Sequence, residues 1–395
     1  MSLKGFKFSG IYAGIKENPT KLDMALIYSE VPCEIAGSFT SSQTKAAPVL
    51  LDLQKIKKGK AQAVIINSGN ANACTGAPGL KNAKQMVSET AKALKISEAL
   101  VFVSSTGKIG VQMPMQKIQP GIAEAVSALS EAGLEKAAQA ILTTDKFSKI
   151  YSVQDQIQDK KYTLIGFAKG AGMIEPAMHA TMLAYFCTDL AIPSKVLQTI
   201  LDRVVEKTFN RITVDGDMST NDTALLLANG LAGNKPLKAQ SAEAKAFEAR
   251  FEEVAHKLAL EIVKDGEGAT KVVEVFVKGS KSEKEAKKIA YSIAKSQLVK
   301  TSFFGQDPNW GRILAAVGYS GATFKPLKVD IYYDGVQVVS KGLATSSEAE
   351  KKAHEVMKAE NFKVTVDLKQ GKDFFQVWTS DLNYDYVKLN AEYRT

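Results

Sequence analysis

Ala180 followed by Thr181, at the entrance to the apolar run Met182 to Cys187, is the residue pair best suited to chemistry. A glycine-rich stretch, Lys169-Gly170-Ala171-Gly172-Met173, leads into it. A small residue before a hydroxyl residue suits backbone cleavage: Thr181 Oγ attacks the Ala180 carbonyl, the amide shifts to an ester, and water hydrolyses the ester. Cleavage would leave Thr181 with a free α-amino group, which can accept the proton of its own hydroxyl without any histidine. The ordinary pKa of such an amine, roughly 8, is close enough to neutral for this work. The competing reading makes Thr181 a cap or first residue of a buried helix over 182–187. On this segment alone the competing reading prevails.

Other routes to catalysis are thinly supplied. The chain of 395 residues has three histidines, His179, His256 and His354, which speaks against a Ser-His-Asp triad or a histidine-based metal site. His256 and His354 fall in Lys/Glu-rich helical patterns and read as surface residues. The three cysteines, Cys33, Cys74 and Cys187, lack CxxC spacing, so neither a disulfide framework nor a zinc site is expected, and each reads as a small buried residue. A metal is therefore not expected.

Four further segments interrupt apolar stretches with small or polar residues. Asn67 to Gly76 (NSGNANACTG) and Ser104 to Gly110 (SSTGKIG) each follow a predicted strand. Taken alone they read as glycine-bearing strand-to-helix turns. The functional alternative is that their backbone N–H groups and a threonine hydroxyl meet a developing negative charge. Neither has P-loop spacing, and Gly170 and Gly172 lack the third glycine of a dinucleotide fingerprint. Arg211 to Thr223 is dense in hydroxyls and carboxylates without calcium-loop spacing, and Phe304 to Ile313 carries Asp307-Pro308-Asn309-Trp310. Polar runs between apolar elements more often line a site than a core.

The elements that must position these residues are readable in outline. Apolar runs predict strands over 61–67 and 100–104, and Leu80, Ala83, Val87, Ala91 and Leu94 mark a helix between them. Phe247, Phe251, Val254, Leu258 and Ile262 mark a longer helix, and Ser282 with Glu285 forms a capping box. Alternation predicts strands over 327–333, 336–340, 362–368 and 374–379, with Asp334-Gly335 as a hairpin turn. This mixture indicates an α+β fold, with a catalytic region over 1–275 and a smaller C-terminal α/β domain over 276–395. Apolar content of 45% and charged content of 24% are ordinary for a globular chain. No apolar stretch reaches membrane-spanning length, and the N-terminus lacks a signal core, so a cytoplasmic location is expected. The net charge of +9 is scattered and accompanied by no nucleic-acid motif, so no nucleic-acid partner is expected.

Taken together, the segments resemble the ornithine acetyltransferase (glutamate N-acetyltransferase) family. The likeness runs in order through Gly5-Phe6-Lys7, Gly14-Ile15-Lys16, KAAPV at 45–49, NSGNANACTG at 67–76, STGKIG at 105–110, TTD at 143–145 and KGAGM at 169–173. It continues through ATML at 180–183, TVDGD at 213–217, STNDT at 219–223, DGEGATK at 265–271 and DPNWGRI at 307–313. One such motif is weak evidence; this many in order are specific, and the competing local readings then lose.

The resemblance implies an αββα-type layered fold of the self-processing aminopeptidase kind, cut between Ala180 and Thr181 into α and β fragments that assemble as α2β2. It implies Thr181 as nucleophile and Thr106 and Gly107 as the oxyanion hole. Thr143, Lys169, Thr181, Glu267, Asn390 and Thr395 would contact substrate. The implied reaction passes the acetyl group of N2-acetyl-L-ornithine through Thr181 to L-glutamate, with no metal or organic cofactor. Some members also take acetyl-CoA as donor. A self-processing amidase or aminopeptidase using the same threonine with water is the alternative. One departure stands out: the family usually has two residues between the loop proline and Ala-Thr, whereas Pro176 is followed here by Ala177, Met178 and His179. Met218 also replaces a more usual threonine.

Overall fold

Apolar residues run consecutively through 24–28, 63–66 and 101–103, within Met24–Phe39, Lys60–Asn70 and Val101–Lys108, and because successive strand side chains point to opposite faces such runs offer an apolar surface on both sides. In the computed structural model, which describes residues 3–175 and 182–392, these strands form one half of a mixed sheet. Met24, Leu26, Ala63, Ile65, Val101 and Val103 pack against the helices Gly76–Leu94 and Met115–Ser127. The alternate residues Ala25, Ile27, Val64, Ile66 and Phe102 join a second core with Phe8, Phe167, Tyr185 and the helix Leu134–Ala140. Each fully buried large side chain contributes roughly 1.5–3 kcal/mol.

The sheet runs Val101–Lys108, Lys60–Asn70, Met24–Phe39, Thr223–Ala228, Leu183–Thr188, Lys160–Lys169, Lys149–Ile157, and Phe6–Ile11 adds to Met24–Phe39. Leu183–Thr188 lies in its interior, parallel to Thr223–Ala228 and antiparallel to Lys160–Lys169. The helix Ala242–Lys264 covers this half, with Phe251 edge-on to Phe186 at 4.8 Å.

A second compact unit comprises residues 211–216 and the described chain from 263 onward, while the first holds the rest. Its own sheet runs Leu343–Ala344, Val336–Ser340, Asp330–Tyr333, Asn361–Asp367, Val272–Ser280, Asp373–Ser380, Ile212–Thr213. The Ser282 half of the capping box is formed, with Ser282 Oγ accepting from Glu285 N at 3.3 Å, while Glu285 Oε1 accepts from Thr323 N at 3.4 Å. The hairpin turn has φ 41° at Asp334 and 90° at Gly335, the left-handed pair that Asp-Gly favours. The α+β class thus holds, with two sheets. No helix among the described residues is long and apolar enough to cross a membrane.

Several expectations are corrected. The helix that the competing reading placed over 182–187 is instead the strand Leu183–Thr188, buried at every position. Six apolar residues suit a strand covered on both faces and are too few to display a helical period. The chain divides after residue 262, whereas a cut at 275 falls inside Val272–Ser280, which pairs on both sides within the second unit. Cys33 and Cys187 are buried as expected, but Cys74 is exposed. His354 is half-buried and bonded through Nδ1 to the Gln306 carbonyl at 2.7 Å, and His256 is also half-buried.

Candidate functional site

Two parallel strand ends carry the first group of candidate residues. The loops expected after residues 67 and 104 prove to be strand continuations: Lys60–Asn70 and Val101–Lys108 stay in register as far as Gly69 opposite Gly107, and Asn70 pairs beyond the shift with Lys108. Gly107 has φ +129°, and a Cβ there would lie 2.4 Å from the Gly69 carbonyl carbon and 2.6 Å from Asn70 N. Only a residue without a side chain lets the two backbones approach this closely.

The asparagines of the first loop serve as its frame. Asn67 Nδ2 donates to Asn70 O at 2.9 Å, Asn70 Nδ2 to Val111 O at 3.1 Å, and Asn72 Nδ2 to Gly79 O at 2.9 Å. Asn221 ties both loops together, its Nδ2 donating to Ala71 O at 2.6 Å and Ser105 O at 2.8 Å. Thr106, next to this brace, is left to present its hydroxyl.

Lys169 ends the strand Lys160–Lys169 and reaches that hydroxyl, with Nζ 3.4 Å from Thr106 Oγ1. Thr143 is positioned through Asp145, whose Oδ2 accepts from Thr143 N at 2.9 Å. Asp145 Oδ1 accepts from Gly170 N at 2.6 Å and from Lys149 Nζ at 2.8 Å. Burial alone would raise the Asp145 pKa, but the Lys169 and Lys149 ammonium groups overcome it and hold the carboxylate well below its usual range. Lys16 fixes the same loop, donating to Leu142 O at 2.8 Å and Leu22 O at 2.6 Å. Burial lowers the Lys16 pKa to about 8, against the opposing effect of Asp23.

Three lysines around one ionised aspartate leave local positive charge, and Lys169 beside a hydroxyl is suited to a ligand carboxylate. The backbone register brings a further residue to this place. Leu183 pairs with Lys169 and with Thr223, Thr223 N donates to Met182 O at 2.8 Å, and a Cβ on Gly170 would sit 3.4 Å from Met182 Cβ.

Glu267 and Asn390 form a second group, within the other unit. Asn390 Nδ2 donates to Glu267 Oε2 at 2.8 Å. Gly268 permits this approach: with φ +73°, a Cβ there would meet Tyr386 N at 2.6 Å and Asn383 Oδ1 at 2.7 Å. Asn383 Nδ2 in turn donates to Gly268 O at 2.6 Å. The C-terminal helix Tyr384–Glu392 is thereby anchored beside Glu267 instead of fraying.

Thr106, Gly107, Thr143 and Lys169 are thus found in one unit and Glu267 and Asn390 in the other. The cleavage pair Ala180 and Thr181, the insertion ending in His179, and Thr395 lie outside the described residues. Sequence reasoning assigned no role to Asp145, Lys149 or Asn221. Asp145 stood within a noted motif, but its ion pair with a lysine four residues on resembles any surface i,i+4 pair until burial is known.

Comparison with known proteins agrees with the motif order. The ArgJ family model matches residues 7–395. The arginine biosynthesis bifunctional protein ArgJ of Geobacter sulfurreducens is 50% identical over 395 residues, covering 100% of both chains. The protein of the same name from Caldanaerobacter subterraneus subsp. tengcongensis is 49% identical, covering 99% of this chain and 97% of its own. A crystal structure of the arginine biosynthesis bifunctional protein argJ from Bacillus halodurans is 39% identical with a TM-score of 0.50, covering 52% of this chain and 96% of that one. With a family model spanning nearly every residue and relatives half identical from end to end, the chain belongs to the ArgJ family.

Proposed function

We propose that the chain cuts itself between Ala180 and Thr181, and that Thr181 then carries an acetyl group from N2-acetyl-L-ornithine to L-glutamate in arginine biosynthesis. The observation carrying this reading is the register that sets Met182, bonded to Thr181, beside Lys169 and the Thr106 hydroxyl. The relatives' name, arginine biosynthesis bifunctional protein, supports both the pathway and a second activity. The crystallised Bacillus halodurans chain, almost wholly matched, covers only 52% of this one, about the share a cleaved half would have.

In the proposed cycle the Thr181 hydroxyl attacks the acetyl carbonyl while its α-amino group takes the proton. Thr106 Oγ1 and the Gly107 N–H stabilise the oxyanion, a contribution of roughly 2.7–4 kcal/mol for one such donor. Lys169 and Thr143 hold the substrate carboxylate; Glu267, with Asn390 bonded to it, and Thr395 receive the ornithine side chain. Ornithine leaves, the glutamate amine attacks the acetyl-threonine ester, and N-acetylglutamate departs. The hydroxyl is the acyl carrier, so the cycle uses no metal or organic cofactor, and acetyl-CoA enters only as an alternative donor. The α and β fragments stay associated, paired as α2β2, in the cytoplasm.

Mass spectrometry of purified protein should show two fragments meeting at Ala180/Thr181, and Thr181→Ala should remain a single inactive chain. An uncleaved wild type with full activity would refute the reading. Acetylornithine consumption that needs no glutamate would replace it with an amidase.

A further inference from the structure

Glu267 and Asn390 lie 123 residues apart in the chain, yet they meet as one hydrogen-bonded pair. The pair has a defined polarity. Asn390 Nδ2 donates to Glu267 Oε2 at 2.8 Å and to Tyr386 O at 3.0 Å, so both of its amide protons are committed. Glu267 Oε1 and Asn390 Oδ1 are left as acceptors with no donor among the described residues. Two open acceptors suit an ammonium group, offer nothing to a methyl group and disfavour a carboxylate.

This meeting depends on how the loop 265–271 and the helix Tyr384–Glu392 are held, and one side chain stands between the two. Asp381 follows the strand Asp373–Ser380 and is 3% exposed. Its Oδ1 accepts from Thr270 N at 2.8 Å and from Lys271 N at 3.0 Å, and its Oδ2 accepts from Thr270 Oγ1 at 2.7 Å. Three bonds to one carboxyl fix the loop just after Glu267. The chain that follows Asp381 is fixed in turn, with Leu382 N donating to Lys300 O at 3.2 Å. Asn383 Oδ1 accepts from Asp385 N at 3.0 Å, which opens the helix, and Asn390 lies about two turns further on.

We propose that Asp381 is a positioning residue for substrate choice: its carboxyl sets Glu267 against Asn390 and thereby fixes the preference for an acetylated amino acid with a cationic side chain. This rests on the reading above in which Glu267 and Asn390 receive the ornithine side chain. Asp381 acts through the loop and not on the substrate, since both of its oxygens are taken by Thr270 and Lys271.

The test compares two acetyl donors to glutamate: N2-acetyl-L-ornithine, and N2-acetyl-L-norleucine, which has a methyl group where ornithine has its ammonium. The preference is the ratio of their kcat/KM values, and circular dichroism checks the fold of each variant. Asp381→Ala leaves three donors without their acceptor. Its preference should fall by roughly 10-fold or more, through a higher acetylornithine KM, since a misplacement of about 1 Å can cost about 100-fold. The acetylnorleucine value should stay near that of wild type. Asp381→Asn keeps an oxygen for the two N–H groups and an NH2 that can donate to the Thr270 hydroxyl, so it should restore most of the preference.

Asp381→Ala also takes a counter-charge from the buried Lys300, which can prevent folding. Thr270→Val avoids this, because Thr270 is exposed and Asp381 stays in place. It removes one of the three bonds and should lower the preference by roughly 3-fold or more. A wild-type preference in folded Asp381→Ala or in Thr270→Val would overturn the proposal. So would an equal loss with both donors, which is what a purely structural role gives, or an Asp381→Asn no better than folded Asp381→Ala. Glu267→Gln should abolish the preference; if the preference survives that change, the reading of Glu267 as the ornithine contact fails, and the proposal with it.

Discussion

Replacing Asp145 by asparagine tests whether the Thr143–Lys169 arrangement depends on one buried charge. Both side chains of the Asp145–Lys149 pair have 0% exposure at a separation of 2.8 Å. Removing one partner of such a pair costs about 3–5 kcal/mol, because the buried ammonium then faces a neutral group in place of the carboxylate. A second loss comes from hydrogen bonding. Asp145 offers one oxygen to Gly170 N at 2.6 Å and the other to Thr143 N at 2.9 Å, whereas asparagine has a single carbonyl oxygen. One backbone N–H must then face an NH2 group, a loss of about 1–3 kcal/mol that overlaps with the first. The expected destabilisation is about 4 kcal/mol, read as a lower urea midpoint with unchanged slope. Activity should fall with it, through a raised KM, as Thr143 and Gly170 lose their shared anchor. The sign with pH is also fixed. The folded carboxyl titrates below its unfolded value of about 3.9, so its contribution is present above that pH and is lost as pH falls further, through the depressed folded value. The deficit of Asp145→Asn should therefore be full at neutral pH and shrink below about pH 4. A loss under about 1 kcal/mol, or a deficit independent of pH, would refute the argument.

Three other outcomes follow from the same geometry. Gly107→Ala should reduce acetyl transfer by roughly 100-fold or more with the fold retained, since its Cβ would push apart the backbones at Gly69 and Gly107 and displace the oxyanion donors; steady-state kcat reads this. Gly268→Ala should expose the C-terminal helix to limited proteolysis, because the new Cβ would fall 2.6 Å from Tyr386 N; a helix as protected as in wild type would count against its anchoring at Glu267. Lys300, buried beneath Thr379 and Ser380, has its pKa lowered to about 7 by burial despite Asp381 and Asp215. The unfolded lysine titrates near 10.4, so the unfolded state binds more protons between these values and stability should rise with pH across that window. Lys300→Met should flatten this slope in urea denaturation measured from about pH 7 to 10.

How much of this was legible in the sequence depends on whether a residue's role is local. The Ser282 cap, the Asp334-Gly335 turn and the alternation in 362–368 are set by neighbours a few residues apart, and all three are found in the structure. The run 182–187 was not legible, for the opposite reason. Six apolar residues carry no period of their own, and their identity as a central strand is decided by Lys160–Lys169 and Thr223–Ala228 on either side. The boundary near 275 failed likewise, because the polar string around Gly279 marks a bend that still pairs, with Gln370 N donating to Gly279 O at 2.7 Å.

The site divides along the same line. Glycines whose missing side chain is the function, such as Gly107, are visible as letters, since no other residue meets the requirement. The carboxyls that organise it are not. Asp145, Asp222 and Asp23 are the same letter, yet the first is an ionised hub between lysines, the second is held toward its neutral form, and the third receives three backbone N–H groups from Ala13, Ile15 and Lys16. Their chemistry is created by what burial places around them. Lys16 completes the argument, because its ammonium reaches Leu142 from 126 residues away and thereby sets Thr143. A motif reports which residues a site requires; the charge each one carries there is a property of the fold.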